Sequence, residues 1–429
     1  MNIYDYQAAF AAWDKTSDDM KTAIADWFSL YYASGADGES DPCQRIAYTV
    51  VNKLVKSVFS EYRATANDPA LAQILGALDE KRKQALQLAL VGGECYIKPV
   101  FKGEELDFVL IPRDQILIFA RSANGEPTDV GLAQRSTFGS HYYTLLERRQ
   151  MDEKGFLTIE NRLYKSVNGQ NLGQPVALSQ HPDYRNLAER YTFRQPVGSV
   201  GLVRLHTPML NCVDGSADGV SVYAAATGLI RNIDRNEALL NGEFERGQSR
   251  IIASGDLLRD GLTDHIFVGL DESPETVGIT VFAPELREKS YLARKQEYLR
   301  NVESVIGLKR GLLSDANVEK RTATEIASSQ GEHALTTIDF QQMWQLAVEQ
   351  TAELCQVLCR LYGRKLVGDT ALQIDWGNGE LYDQDKLWEG YRQMVADGLL
   401  KPEIALGWRF GMPADTPEQR AAIRAKYMP

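Results

Sequence analysis

The longest helical pattern of this chain, from Val318 to Tyr362, constrains its fold more than any other feature of the sequence. One unbroken helix of that length reaches about 65–70 Å, since each residue adds about 1.5 Å. Gly331 lies in the first third of the pattern, and an interior glycine weakens a helix by about 1 kcal/mol relative to alanine. We therefore expect a long helix with a kink at Gly331.

The rest of the chain alternates between helical and strand-like periodicity. Its segments are, in order, helical to about Leu90 after a cap offered by Asp14-Lys15-Thr16-Ser17, strand-like from Glu94 to His206, helical from Val220 to Glu245, glycine-rich and β-prone from Gly247 to Pro284, helical from Glu285 to Ile306, and a loop from Gly307 to Asn317. A strand and two or three short helices follow the long helix. This order does not match a doubly wound α/β fold, so we predict an α+β protein in which a helical axis is interrupted by inserts.

The strand-like region predicts a mostly antiparallel sheet. Two apolar runs, Tyr96–Phe101 and Leu106–Ile111, flank Lys102-Gly103-Glu104, which is typical of a hairpin. The further predicted strands are Gln115–Ala120, Val130–Phe138, Tyr142–Gln150, Phe156–Tyr164 and Leu202–His206. The segment from Asn171 to Pro196 shows no such pattern, and we expect it to be a looser insertion.

The overall charge is acidic, with 58 Asp and Glu against 47 Lys and Arg, a net charge of −11 over 429 residues. Such a balance argues against a protein that wraps nucleic acid by bulk charge. The acidic charge is still compatible with a protein past which nucleic acid slides.

Targeting and redox signals are missing from the sequence. No signal peptide is visible after Met1, and the longest apolar stretches, Ala85–Gly93 and Val277–Ala283, are well short of the roughly 20 residues of a membrane span. The five cysteines are scattered without CxxC spacing, which favours a reducing cytoplasm over a disulfide framework.

Catalytic signatures are also scarce. None of the five histidines pairs with another at helical spacing, and no P-loop, dinucleotide fingerprint or nucleophile elbow occurs. Cys355 and Cys359 lie four residues apart on the long helix, and buried structural cysteines explain them better than a metal site does. We therefore expect no catalytic residues, no metal and no cofactor.

An acidic cluster is the best enzymatic alternative. A carboxylate-dependent hydrolase or nuclease could use Asp375, Glu380 and Asp383 as an acid/base pair or to hold a divalent ion. The structural interpretation is a strand-to-helix turn with Asp383 or Asp385 as the N-cap.

The unusual stretch of the sequence runs from Glu285 to Asp339. A helix, a glycine-rich loop and the start of the long helix follow one another there, and four basic residues gather at one end, namely Lys309, Arg310, Lys320 and Arg321. In an acidic protein such a local cluster is a plausible phosphate contact. A solvated basic loop is the alternative.

These segments resemble the portal proteins of tailed bacteriophages, in the branch typical of siphophages. The most specific match is Arg321–Ile326, which is similar to the family's Lys/Arg-Thr-Ala-Thr-Glu-Val/Ile block. The other matching motifs are Phe282–Arg287, Ile306-Gly307-Leu308 with Gly311 and Ser314-Asp315, Gly92-Gly93-Glu94, Ile111–Gln115 and Gln373–Glu380. The resemblance extends from about Ala85 to Gly411; the first 80 residues match only in being helical, and the insertion from Asn171 to Pro196 has no counterpart.

The resemblance implies a ring, a dodecamer in this family, with a channel for double-stranded DNA at one capsid vertex. It implies the following division: N-terminal helices and a β-rich wing (1–219), a first stem helix (220–246), a small α/β clip (247–284), a second stem helix (285–306), a tunnel loop (307–317), a long wing helix (318–366) and a helical crown (367–429). It also implies assembly in the host bacterial cytoplasm and a place in the virion, without a membrane.

The resemblance further implies partners and site residues. The partners are further copies of the chain, DNA in the channel, the large subunit of terminase, a head-completion or adaptor protein, and the major capsid and scaffolding proteins. The implied channel residues are Lys309, Arg310, Gly311, Ser314, Lys320 and Arg321, and the implied docking residues of the clip are Arg250, Arg259, His265 and Phe267. Catalysis would then belong to the terminase, in agreement with the missing P-loop.

Overall fold

A computed structural model of the chain describes residues 2–33, 42–103, 105–246, 250–254, 267–270, 280–282, 285–315, 323–364, 368–377 and 384–428. The α-helices within these ranges are α1 (Asp18–Tyr32), α2 (Ile46–Val58), α3 (Pro69–Gly92), α4 (Thr227–Arg246), α5 (Glu288–Ile306), α6 (Ala323–Leu361), α7 (Gln384–Ala396), α8 (Pro402–Arg409) and α9 (Pro417–Tyr427).

The strands within the same ranges confirm the expected mixture of helices and sheets. They are β1 (Arg63–Ala66), β2 (Glu94–Lys102), β3 (Glu105–Pro112), β4 (Ile116–Arg121), β5 (Pro127–Phe138), β6 (His141–Met151), β7 (Leu157–Ser166), β8 (Gln174–Val176), β9 (Arg190–Thr192), β10 (Val203–His206), β11 (Arg250–Ser254), β12 (Phe267–Leu270), β13 (Thr280–Phe282) and β14 (Leu372–Asp375).

The N-terminal helices begin and end where local chemistry predicts. The Ser17 side chain caps α1 by accepting from the Met20 backbone N–H, and Asp68 caps α3. The helix α3 ends where Gly93 adopts a left-handed conformation, with φ of 81°. The helix α1, in which Met20 and Ile24 are fully buried, packs against α3, and α3 packs against β2 and β3.

Two antiparallel sheets form the β-rich region. One has the strand order β10-β2-β3 and contains the predicted hairpin, in which Tyr96 pairs with Ile111; the other runs β4-β5-β6-β7-β8. The expectation of a loose insertion from Asn171 to Pro196 is wrong in part. This segment contributes β8 and β9, which both pair antiparallel with β7 at different points along it.

The helices α4 and α5 form an antiparallel hairpin. The Arg287 side chain pairs with Glu243 through Nη2 and Oε2 at 2.7 Å, and further along the Asn236 side chain donates to the Tyr291 carbonyl at 3.0 Å. The helix α4 begins at Thr227, after a short 3₁₀ turn at Ala224–Ala226, rather than at Val220 as expected. That correction shortens the first predicted stem helix by about two turns.

The insert between these helices has the three strands expected of it. Within its described residues, β11 lies at the centre, parallel to β12 and antiparallel to β13. Arg250 begins β11 and Phe267 begins β12. Arg259 and His265 lie outside the described residues.

The long helix α6 continues through Gly331 as one helix from Ala323 to Leu361; the kink at Gly331 stays a prediction. Its inner face is a buried apolar stripe at helical spacing: Phe340, Trp344, Val348, Ala352, Cys355 and Cys359. The two cysteines are thus buried helix-face residues, as expected. Among the described helices, none combines the length and apolar character that a membrane crossing requires.

The chain divides into two compact units. The first comprises residues 1–57 and 66–372, and the second comprises residues 58–65 and 373–429. In the second unit, Trp376 contacts the ring of Tyr62 at 4.8 Å, and α8 and α9 are joined by Glu403 and Arg424, whose Nε and Oε1 atoms are 2.7 Å apart. The finer division into wing, stem, clip and tunnel loop stays a prediction.

Candidate functional site: the loop between α5 and α6

The loop that follows α5 begins with a close approach to α6. Gly307 has a φ of 76°, and a Cβ built on it would lie 2.4 Å from the Thr336 side-chain oxygen. Ile306 and Leu308, on either side, are buried. A residue with a side chain would be both strained and obstructed at Gly307, so glycine is required for the chain to turn against the long helix.

The loop then folds back onto α5 around the Glu303 carboxylate. Glu303 Oε1 accepts from the backbone N–H groups of Gly311 at 3.1 Å, Leu313 at 2.6 Å and Ser314 at 2.9 Å. The Ser314 hydroxyl donates to Oε2 at 2.7 Å. Glu303 is fully buried and Ser314 is 6% exposed, so four hydrogen bonds converge on one carboxylate inside the fold.

Lys309 and Arg310 occupy the turn between these two attachments. The Leu312 N–H donates to the Lys309 carbonyl at 3.2 Å, which closes the turn. Arg310 is exposed and Lys309 half-buried. After the turn, the Asp315 N–H donates to Gln296 Oε1 on α5 at 2.8 Å.

Four of the six predicted channel residues therefore lie in one ordered loop, namely Lys309, Arg310, Gly311 and Ser314. Ser314 turns its side chain inward to Glu303 rather than outward. Lys320 and Arg321 lie outside the described residues. The backbone of this loop is tied to α5 at four amides, those of Gly311, Leu313, Ser314 and Asp315.

His333 lies on α6, close to Gly307 and Lys309 of the same turn. Its Nε2 is 3.3 Å from the Ser57 hydroxyl of α2. Burial lowers the pKa of His333, the Gly307 backbone opposes this to a lesser extent, and the positive charge of Lys309 adds a smaller lowering effect. A neutral imidazole is therefore favoured beside the basic turn.

Sequence reasoning missed Glu303. The buried residues of α5 are Leu299, Val302, Glu303 and Ile306, whereas Val305 is 50% exposed. A charged residue at an apolar-stripe position was the available signal, since a buried charge needs hydrogen-bonding partners. The helix also begins later than expected, at Glu288, with Arg287 as an N-cap that makes no side-chain cap bond.

A second buried carboxylate joins two of the motifs noted in the sequence. Glu94, from Gly92-Gly93-Glu94, lies 3.4 Å from the Nε of Arg113, from Ile111–Gln115, and accepts from Arg204 Nε at 3.0 Å. Arg121 adds a third guanidinium at 3.5 Å. Burial alone would raise the pKa of Glu94, but Arg204, Arg113 and Arg121 outweigh it and hold the pKa far below its ordinary value.

The backbone crossing beside this cluster explains a glycine pair. A Cβ on Gly93 would lie 2.2 Å from the Gly219 carbonyl oxygen, and a Cβ on Gly219 would lie 2.4 Å from the Gly93 carbonyl oxygen. The Gly219 N–H donates to Glu94 Oε1 at 2.8 Å. Two chain segments thus cross in contact, and the ion cluster forms directly beside them.

The acidic alternative receives little support from the part of the chain that the structure describes. The Asp375 carboxylate accepts from the Gly377 N–H at 2.9 Å, as in a turn. Glu380 and Asp383 lie outside the described residues. Asp385 lies within α7 rather than at its N-cap. No group of three His, Cys, Asp or Glu side chains in the described ranges could hold a metal ion.

Comparison with known proteins adds a structural likeness alone. No family model matches the chain, and no curated protein matches it. Of 68 matching chains in solved structures, one comes from the neck of a native GTA particle computed with C12 symmetry. The likeness covers 96% of this chain and 98% of that one, at 11% identity and a TM-score of 0.46. At that distance, function has to be argued from this chain's own residues.

Proposed function

We propose that this protein is the portal protein of a tailed bacteriophage or a related particle. Copies of the chain form a ring, a dodecamer in the family it resembles, whose channel conducts double-stranded DNA during packaging and ejection. The insert at 247–284 docks the terminase large subunit and later the head-completion protein. Capsid and scaffolding proteins surround the ring, and the role is mechanical rather than catalytic.

The observation that carries the proposal is the α4–α5 hairpin, which has the insert at one end and the loop at 307–315 at the other. Because the helices are antiparallel, the insert leaves and returns at one end of the hairpin, while the loop at 307–315 lies at the other end. The loop then leads into α6, the longest described helix. A stem with a docking module at one pole and a channel loop at the other requires this connectivity.

The local charge supports a DNA-facing role for the loop. Residues 285–315 contain seven basic and five acidic residues, in a chain whose net charge is −11. One of the five acids, Glu303, is buried against the loop backbone. A channel must let DNA slide, so a few basic side chains at Lys309 and Arg310 suit it better than a strongly positive surface.

Exposed apolar side chains support contacts between copies. On the hairpin, Leu239, Leu292 and Val305 are 45%, 50% and 50% exposed, and on α6 Leu335 and Leu346 are 66% and 53% exposed. Exposed side chains of this kind are available for burial against a neighbouring copy. A cyclic ring would use such faces in head-to-tail contacts between neighbouring subunits.

Imaging and mass measurement test the proposal. Negative-stain images of the purified protein should show rings with a central hole, and native mass should give an integral multiple of 47.9 kDa. A protein that stays monomeric at every concentration and ionic strength tried would contradict the proposal. Hydrolysis of DNA that depends on Asp375 would instead support the enzymatic alternative.

A further inference from the structure

Glu303 differs from the other acidic residues of the hairpin in what it binds. The exposed acid Glu297 pairs with Arg300 at 3.5 Å along the same helix, whereas Glu303 accepts from three backbone amides and one hydroxyl of the following loop. Hydrogen bonds to an ionised acceptor are roughly twice as strong as those between neutral groups. The loop is therefore held mainly by its backbone, with one further bond from the Ser314 side chain.

We propose that Glu303 is the positioning residue of the loop and joins residues 311–315 to α5 as one body. That the loop faces DNA rests on the proposed function, whereas the attachment of the loop to Glu303 does not depend on it. The turn that carries Lys309 and Arg310 then moves with α5.

Two observations besides the carboxylate define the body. Asp315 extends the attachment to a second residue of α5, Gln296. At the other end, Gly307 lies so close to α6 that a Cβ on it would come within 2.4 Å of the Thr336 side-chain oxygen. The segment from Gly311 to Asp315 is thus bonded to α5 at two of its residues, Glu303 and Gln296. A load applied at Lys309 and Arg310 passes into α5 through these bonds.

The physical need for such an attachment follows from the glycines. Gly307 and Gly311 both adopt positive φ, at 76° and 92°, and glycine loses the most conformational freedom on ordering. A loop containing them does not hold one conformation by itself. The buried carboxylate offsets that entropy by accepting hydrogen bonds from Gly311, Leu313 and Ser314.

Amide hydrogen exchange of the full chain, followed by mass spectrometry or NMR, tests the proposal without DNA. The variant Glu303→Gln keeps the side-chain length but removes the charge, and Ser314→Ala removes one of the four bonds. We expect exchange at Gly311, Leu313 and Ser314 to accelerate by about tenfold in Glu303→Gln and less in Ser314→Ala. The matched control Glu297→Gln, on the same helix, should leave these amides unchanged.

Trypsin provides a second readout, because it cleaves after Lys309 and Arg310. Cleavage there should be faster in Glu303→Gln while the amides of α5 stay protected. Unchanged loop exchange in Glu303→Gln would overturn the proposal, and so would a uniform increase over the whole chain in both variants, since that shows general destabilisation. Neither readout requires ring formation, so failure here and failure of the portal assignment are distinguishable.

Discussion

Glu94 and Glu303 are both fully buried glutamates, yet their partners differ in kind. Glu94 is surrounded by guanidinium groups from β4, β10 and the turn after β3, all distant from it in the sequence. Glu303 is satisfied by backbone amides 8 to 11 residues ahead of it. The first arrangement joins separate elements of the core, and the second holds one local segment. Loss of the first should therefore affect global folding, and loss of the second should affect mainly the loop.

The largest expected effect comes from removing the charge at Glu94. In Glu94→Gln the buried Arg113 and the half-buried Arg121 and Arg204 lose their common counter-charge, while Arg113 and Arg121 keep Asp218 as a partner. Breaking a buried ion pair costs about 3–5 kcal/mol. The matched variant Glu303→Gln should lower the free energy of unfolding by about 1–2 kcal/mol. Urea unfolding of the two variants measures both. Equal losses would contradict the distinction between the two carboxylates.

The stability of the protein at low pH should also depend on buried glutamates that pair with basic residues. Burial alone would raise the pKa of Glu147, but Arg149 and Lys98 outweigh it and lower the pKa to about 2 from an ordinary 4.5. Because the folded-state pKa is depressed, the stabilisation is complete above about pH 5 and is lost as the pH falls toward 2. The difference corresponds to about 3 kcal/mol.

Urea unfolding between pH 3 and 6 checks this expectation. Stability of the parent protein should fall steeply over that range, and the fall should be about 2 kcal/mol smaller in Glu147→Gln, because the remainder is lost only below about pH 3. Identical pH profiles for the two proteins would contradict the role of Arg149 and Lys98.

Two glycines, Gly93 and Gly307, approach their neighbours closely, one a backbone and the other a side chain, so substituting them compares the two kinds of contact. In Gly93→Ala the new Cβ meets the Gly219 carbonyl oxygen, whereas in Gly307→Ala it meets the Thr336 side chain. We expect a loss of about 3 kcal/mol at Gly93, where backbone must move, and about 1–2 kcal/mol at Gly307.

Second-site variants separate strain from obstruction at these glycines. Adding Thr336→Ala to Gly307→Ala removes the obstructing oxygen, so thermal unfolding should show partial recovery, with the positive-φ strain remaining. No side-chain truncation is available at Gly219, so Gly93→Ala should have no such rescue. A full recovery at Gly307 would mean that its backbone conformation carries no strain.

Much of the fold was predictable because its signals are local. The hairpin of β2 and β3 has an apolar run on each side of a glycine turn, and α3 has a cap at one end and Gly92-Gly93 at the other. The strands β8 and β9 are only three residues long each. Their pairing with β7 is a long-range property that no alternation pattern predicts. For that reason the segment was expected to be a loose insertion.

The candidate site was predictable in its residues but not in its geometry. Lys309, Arg310 and Gly311 stand out in the sequence as a basic, glycine-containing loop. That the loop folds onto Glu303 depends on tertiary burial of a helix face, and Glu94 and Arg113 likewise meet only once the sheets form. Periodicity shows which positions face inward, and a charge at such a position indicates a buried partner without showing which one.

The smallest effect on stability, and the most specific effect on function, is expected at the turn itself. Lys309→Glu combined with Arg310→Glu changes half-buried and exposed side chains, so the free energy of unfolding should change by about 0.5 kcal/mol or less. If the turn faces DNA, reversing its charge should reduce packaged or retained DNA while rings still assemble, because backbone phosphates are repelled. The matched control reverses two exposed basic residues of the β-rich region, Lys154 and Arg185. Equal DNA content in both double variants would mean that Lys309 and Arg310 do not face DNA in the channel. Glu303 would then anchor a loop that serves another purpose.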